Sequence, residues 1–428
     1  MSTATLPRIL TGVPANGFIS FAQHEAIHGA MPVLSRSRHD NALDLELTES
    51  GLRGQGGAGF PTAIKLRAVA RARGRAVVVA NGCEGDPASS KDRLLLERLP
   101  HLLIDGALLA ARAVGARDIV IAVGEHATHA ERAVEVALSE RHDLRSGSPR
   151  VRVVIVPHGY VSGQENALVN FLNGGPAKPT AIPPRVFERG VGGRPTLVDN
   201  VETLAHIALI ARHGAAWFRE LGTTEEPGSR LVSVSGAIAY PGVYEIESGA
   251  PLSALISAAG GVTTRVQAFL LGGYAGTWVH PELGLQLGLS DTQLAASGAT
   301  LGAGIVVALP TSACVVAELA HVADWLAGES AGQCGPCING LAAIAATLQG
   351  VQHGTAGDAP LEQLARWASL VRGRGACGHP DGVAQLVASA LSLFAEEFAD
   401  HARHGICDGC ARRRILPVSS PLARRFAA

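Results

Sequence analysis

The chain has 428 residues, 47% hydrophobic and 17% charged, with a formal charge of −1. That length exceeds one ordinary core and calls for two to four domains, and the balanced charge lacks the basic excess that phosphate-backbone binding needs, which excludes nucleic acid as a partner. The opening MSTATLPRILTG shows no basic segment ahead of an apolar run, and no stretch reaches the roughly 18 to 20 apolar residues that span a bilayer, so the expectation is a cytoplasmic protein without direct membrane insertion, free or peripheral to a membrane complex.

In chain order, residues 1–45 mix Pro, Gly, Ser and His without a sustained period and read as a leader. Residues 46–228 read as an α/β domain. Strand-like RAVVVANG from Arg75 is followed by an apolar helix, by DIVIAVGE, by a helix from Thr128 to Arg141, and by VRVVIVPHG. The continuous apolar runs Val77–Ala80, Ile119–Val123 and Val151–Val156 predict strands covered on both faces, as in a Rossmann-like parallel sheet built from βαβ units. Residues 229–300 have the texture of a small α+β unit, with a turn at Pro241-Gly242 and a helix start at Pro251. Residues 301–400 carry apolar residues at helical spacing in several segments and predict a helical bundle, and 401–428 form a tail.

Two segments carry chemistry. GLRGQGGAGFPTAIKL holds Gly51, Gly54, Gly56, Gly57 and Gly59 and leads through Pro61 into a helix. Glycines let main-chain N–H groups approach an anion, and a helix N terminus adds partial positive charge, so such a loop suits a phosphate; alone it is equally a plain turn. Of seven cysteines, Cys83 and Cys314 stand alone, while Cys334, Cys337, Cys377, Cys407 and Cys410 fall in the last quarter. An odd total with CxxC spacing argues for metal or redox chemistry over a disulfide framework. Two CxxC pairs, with His379 and His404 as substitutes, equally compose a zinc set.

The glycine loop is followed by NGCEGDPASSKDR, GYVSGQENAL, GGRPTLVDNVETLA and ESAGQCGPC. In this order the five segments resemble the flavin subunit of respiratory complex I and its relatives in NAD-linked hydrogenases and formate dehydrogenases, over roughly residues 46 to 405. The resemblance implies that Gly54, Gly56, Gly57 and Gly59 cradle the phosphate of FMN, with Asn81, Glu84, Asn200 and Thr203 completing its pocket. An Asn side chain suits the alternating donor and acceptor edge of a flavin, although Asn200 ahead of VETLA also fits a helix cap. It further implies that NAD(P)H is the substrate, placed by Phe60, Lys65, Asp86 and Glu165. Ala68 stands where a second stacking aromatic is expected, Gln164-Glu165 replaces a Glu-Glu pair, Asp86 shortens a glutamate, and Cys83 replaces an aspartate; Cys83 reads best as a small buried residue.

The same resemblance implies an iron–sulfur cluster on Cys334, Cys337 and Cys377, with Ala331 where the first of four cysteines is expected. Three thiolates with one other ligand accommodate a 4Fe–4S cluster, and alone a 3Fe–4S cluster; Cys407 or Cys410 is a candidate for the missing ligand, and a zinc clip is the alternative. Residues 230–285 resemble a β-grasp soluble-ligand-binding (SLBB) module. The implied activity is hydride transfer from NAD(P)H to FMN, then single-electron transfer to a ferredoxin, a two-iron thioredoxin-like subunit or a membrane redox module. The rivals are an Rnf-like electron-transfer subunit and a zinc-clipped or non-catalytic binding or assembly module.

Overall fold

The computed structural model describes residues 5–32, 42–144 and 149–418. These divide into two compact units, the first holding residues up to 85, 90–232 and 245–250, the second 86–89, 233–244 and the chain from 251 onward.

The first unit opens with α1 (Phe21–His28) and α2 (Ala42–Ser50). α1 starts at a reciprocal cap in which Ser20 and Gln23 satisfy each other's main-chain N–H groups. There follow α3 (Thr62–Arg71), β1 (Val77–Gly82), α4 (Lys91–Arg98), α5 (Pro100–Val114), β2 (Asp118–Gly124), α6 (Thr128–Glu140), β3 (Arg150–Val156), α7 (Glu165–Leu172), β4 (Thr196–Asn200) and α8 (Val201–Phe218). The four strands make one parallel sheet in the order β3-β2-β1-β4.

Val77–Ala80 and Ile119–Val123 are buried throughout, as their continuous apolar runs require in a sheet covered on both faces. β3 departs from that expectation. It is the edge strand, and Arg150 and Arg152 leave it only partly covered. α5 is buried on nearly every side and ends on Gly115 in the left-handed conformation. It approaches α8 so closely that a Cβ on Gly106 would lie 1.8 Å from the Leu204 carbonyl oxygen, so only glycine permits this crossing.

A five-stranded mixed sheet in the order β6-β5-β9-β7-β8 has most of its residues in the second unit. Its strands are β5 (Ser229–Gly236), β6 (Gly242–Glu247), β7 (Val266–Leu271), β8 (Thr277–Val279) and β9 (Ile305–Pro310), interspersed with α9 (Leu252–Ala258) and the short α10 (Pro281–Gly284) and α11 (Asp291–Ala295). β9 pairs parallel to β5 and antiparallel to β7, so the small sheet is completed by a strand past residue 300. A helical bundle follows: α12 (Val315–Gly328), a π-helical turn (Pro336–Leu341), α13 (Ala342–His353), α14 (Pro360–Val371), α15 (His379–Leu393) and α16 (Ala395–His404). Among the described residues no single helix is long and apolar enough to cross a membrane; α15 and α16 pass that test only as a pair bent by 88°.

Candidate functional site

In a parallel sheet the crevice for a ligand opens at the carboxyl ends of the strands, where the strand order reverses. Here the chain runs outward from β1 to β2 to β3 and then returns to place β4 on the other side of β1. The reversal therefore lies between β1 and β4, where Asn81 and Asn200 are register partners.

The glycine loop closes over this point. Its neck is zipped by Gly54 N–H to Phe60 O at 2.9 Å and Thr62 N–H to Leu52 O at 3.0 Å, and Arg53 Nε donates to Gly59 O at 2.8 Å. Its tip is tied to the first turn of α8 by Gln55 N–H to Thr203 Oγ1 at 2.9 Å. A Cβ on Gly56 would stand 3.3 Å from Asn200 Cβ, and Gly57 and Gly59 have φ of 107° and 57°. Those glycines let the main chain lie directly on the strand ends. Gly56, Gly57 and Ala58 are exposed, and among the described residues the N–H groups of Gly56, Gly57 and Gly59 make no hydrogen bond. Unsatisfied donors in a turn ahead of a helix suit the phosphate of FMN.

Beneath the loop sits a sealed polar cluster. Lys91 Nζ lies 2.7 Å from Asp92 Oδ1, 2.8 Å from Glu202 Oε2 and 3.4 Å from Asn200 Oδ1. Burial would lower the Lys91 pKa, but the two carboxylates outweigh it and raise it, so the ammonium persists. Asn200 accepts from Glu202 N–H at 3.0 Å, which makes it the cap of α8, and donates to Asp92 Oδ2 at 2.6 Å. Glu84 accepts from Asp92 N–H and Arg93 N–H at 3.0 and 3.1 Å and anchors the start of α4. Asn81 donates to Gly163 O at 2.7 Å and accepts from Cys83 N–H at 3.2 Å. Burial, then the Asp92 charge, push the Cys83 thiol up to about 12, so Cys83 is an inert filler.

A second lysine faces outward. Lys65 Nζ meets Glu165 Oε1 at 2.9 Å and Asp199 Oδ1 at 3.7 Å, and donates to Val198 O. Sequence reasoning named Lys65 and Glu165 and missed Asp199, the residue before Asn200 in β4. Burial, opposed by Lys65 and reinforced by Glu165, raises the Asp199 pKa to about 6. Its Oδ2 is buried without a hydrogen-bond partner among the described residues, an uncommon state for a carboxylate oxygen. Phe60 is 52% exposed at the loop's exit, a ring unused by the core. Asp86 uses both oxygens on main-chain groups, accepting from Tyr274 N–H at 2.7 Å and Ala88 N–H at 3.0 Å.

In the second unit Cys334, Cys337 and Cys377 are free thiols close enough for Cys334 and Cys377 to act on Cys337. Burial, then Cys334 and Cys377, push the Cys337 thiol up to about 12, while main-chain N–H groups of Ala376 and Cys337 outweigh burial and lower that of Cys334. A thiol trio at the start of a π-helical turn is a donor set suited to an iron–sulfur cluster. In the sequence, Cys407 and Cys410 are candidates for the missing ligand, and two CxxC pairs with His379 or His404 for a zinc set. Cys407 and Cys410 gather instead with Cys314 and His401. His379 gives its Nε2 to the Leu326 carbonyl at 2.9 Å. Neither Cys314 nor His401 carries a local sequence signal, since each lies far in the chain from one or more of its neighbours in this cluster.

Comparison with known proteins agrees with this geometry. Residues 47–209 match the Nuo51 FMN-binding domain, 231–273 the SLBB domain, and 317–401 the NADH-ubiquinone oxidoreductase-F iron-sulfur binding region. The second F-type NADH-quinone oxidoreductase subunit of Rhizobium meliloti (strain 1021) is 36% identical over 86% of this chain and 90% of its own. The F-type NADH-quinone oxidoreductase subunit of Escherichia coli (strain K12) is 32% identical over 86% of each. The crystal structure of an NAD+-reducing [NiFe]-hydrogenase in the H2-reduced state superposes with a TM-score of 0.79 at 33% identity over 86% of this chain, which spans only 63% of the hydrogenase chain. The chain belongs to the family of F-type NADH-quinone oxidoreductase subunits and carries, in order, that family's FMN-binding domain, SLBB domain and iron–sulfur-binding region.

Proposed function

We propose that this chain is the nicotinamide-oxidising flavoprotein subunit of a multi-subunit redox assembly, taking hydride from NAD(P)H and passing single electrons to a ferredoxin or a two-iron thioredoxin-like subunit. The observation that carries the reading is the turn at Gly56–Gly59, with N–H donors unspent and pressed onto Asn200 at the reversal point of the sheet. FMN, when bound there, supplies the conversion between an electron pair and single electrons, the chemistry belonging to the cofactor while the protein binds and orients it.

Gly56, Gly57 and Gly59 hold its phosphate, with Gly54 shaping the neck of the loop through its N–H to Phe60 O; Asn81, Glu84, Asn200 and Thr203 set the walls. These four side chains already bond within the protein, so their part is to fix the shape of the pocket. Phe60 offers a ring face to the adenine, and Lys65 with Glu165 positions the ribose and phosphate groups, since hydride transfer needs the reacting carbons close and aligned. Asp86 is the weakest of these assignments, as its carboxylate is committed to the Tyr274 and Ala88 main chain. Cys334, Cys337 and Cys377 hold the cluster, with its fourth position left to a ligand other than cysteine.

The test is anaerobic titration of the purified chain with NADH and, separately, NADPH. Bleaching of a flavin band by one of them, with broad residual absorbance from the cluster, is expected; a chain that releases no flavin on denaturation overturns the reading.

A further inference from the structure

The second unit carries a set of donors that the flavin and the thiol trio do not use. Cys314 Sγ lies 3.3 Å from His401 Nε2 and 3.6 Å from Cys410 Sγ, and Cys410 Sγ lies 3.8 Å from Cys407 Sγ. All four ligand atoms fall within 4.8 Å of one another. Around one tetrahedral zinc, with Zn–S about 2.3 Å and Zn–N about 2.0–2.1 Å, sulfurs stand roughly 3.8 Å apart and a sulfur and a nitrogen roughly 3.6 Å apart. The observed spacings match a single ion. A cubane distributes its thiolates over different irons and therefore holds them farther apart.

The surrounding main chain is shaped for the same arrangement. Cys407 to Cys410 form a tight turn, Cys410 N–H donating to Cys407 O at 3.0 Å. A Cβ on Gly409 would lie 3.0 Å from both the Cβ and the nitrogen of Cys314, so glycine is what lets the turn close on its partner. Cys314 caps α12, its Sγ accepting from Ala317 N–H at 3.3 Å, which fixes the direction of the thiol at the start of that helix. His401 turns Nε2 toward Cys314 Sγ, and its other ring nitrogen, Nδ1, is buried without a hydrogen-bond partner among the described residues.

We propose that Cys314, His401, Cys407 and Cys410 are the ligands of one structural zinc ion, a closed Cys₃His site independent of the iron–sulfur ligands. Binding releases the three thiol protons and leaves the imidazole neutral, so three thiolates and the dication carry one net negative charge at the N terminus of α12. The ion ties the segment after α16 to the start of α12. That segment is held further by Ile415 and Leu416 N–H groups donating to Glu318 at 2.9 and 3.0 Å, and by Tyr274 donating to Pro417 O.

Elemental analysis of the full chain purified with its cofactors tests this. About one zinc per chain is expected beside the iron. The Cys407→Ser/Cys410→Ser double variant should lose at least nine-tenths of the zinc and keep iron and FMN, and Cys377→Ser should lose iron and keep zinc and FMN. Wild-type protein without zinc, or a double variant whose iron falls while zinc stays, overturns the proposal. Should the double variant fail to fold, wild-type chain produced in cobalt-supplemented, zinc-depleted medium decides: tetrahedral thiolate–cobalt bands support the site, and their absence overturns it.

Discussion

Of the three lysines in the flavin-domain unit, Lys65 and Lys91 are paired with carboxylates, and they differ in one respect. Lys91 is 1% exposed and its partners Asp92 and Glu202 are sealed with it, whereas Lys65 is 25% exposed and its partner Glu165 45%. A buried ammonium between carboxylates is held by its partners and has nothing left to offer a ligand; its value lies in fixing Asn200, α4 and α8. The other spends its ammonium on Glu165, Asp199 and the Val198 carbonyl, but does so at a partly exposed position that a ligand can reach. Equal residue types thus divide into scaffold and site by burial alone, and the division is open to direct attack.

The largest effect expected is at Lys91. Lys91→Met leaves Asp92 and Glu202 as buried charges without a cation, which costs about 3–5 kcal/mol. Urea denaturation should show it, together with weakened FMN retention, since Asn200 loses its setting. A loss below about 1 kcal/mol would mean the cluster is wetter than its burial implies and would erase the contrast with Lys65.

Asp199 sharpens the contrast next, because it is sealed yet belongs to the open lysine. Its pKa of about 6 stands above the ordinary carboxylate value, so the folded protein binds more protons than the unfolded chain between about pH 4 and 6. Stability from this group is therefore full below about pH 4 and falls as pH rises to 6, by on the order of 3 kcal/mol. In Asp199→Asn that slope should vanish, so that the variant gains on the wild type as pH rises from 4.5 to 7.5; parallel slopes in chemical denaturation would show that Asp199 does not titrate there.

How much of this was legible in the sequence follows from where the information sits. The runs at Val77–Ala80 and Ile119–Val123 announce buried parallel strands because both faces must be apolar. β4 is five residues ending in Asp-Asn, too short and too polar to show as a strand, and with it Asp199 went unseen. α1 lacks an apolar period, and only its Ser20-x-x-Gln23 cap betrays it. Cys407 and Cys410 are plain as a pair, but their partners are fixed by the packing of α12 and α16, and no spacing rule reaches across that distance.

A smaller effect belongs to Lys65. Lys65→Met leaves buried Asp199 without its cation, at a cost smaller than at Lys91 because only one buried carboxylate is affected and it can take up a proton, while raising KM for the nicotinamide roughly tenfold with kcat less affected, the pattern of lost uniform binding. An unchanged KM would assign Lys65 to the scaffold after all.

The smallest is Phe60. Its ring is half exposed and supports no core, so Phe60→Ala should leave the melting temperature and the FMN content as they are. What it removes is a stacking face, and an aromatic contact of this kind is worth about 0.5–1.5 kcal/mol beyond area, or roughly three- to tenfold in affinity. With Ala68 on α3, which follows Phe60, there is no second ring nearby in sequence to compensate, so the loss should appear in full as a higher KM for the dinucleotide. A nicotinamide mononucleotide donor, which has no adenine, supplies the control: its kinetics should be equal in wild type and variant, and a shared loss for both donors would place Phe60 against the flavin instead of the adenine.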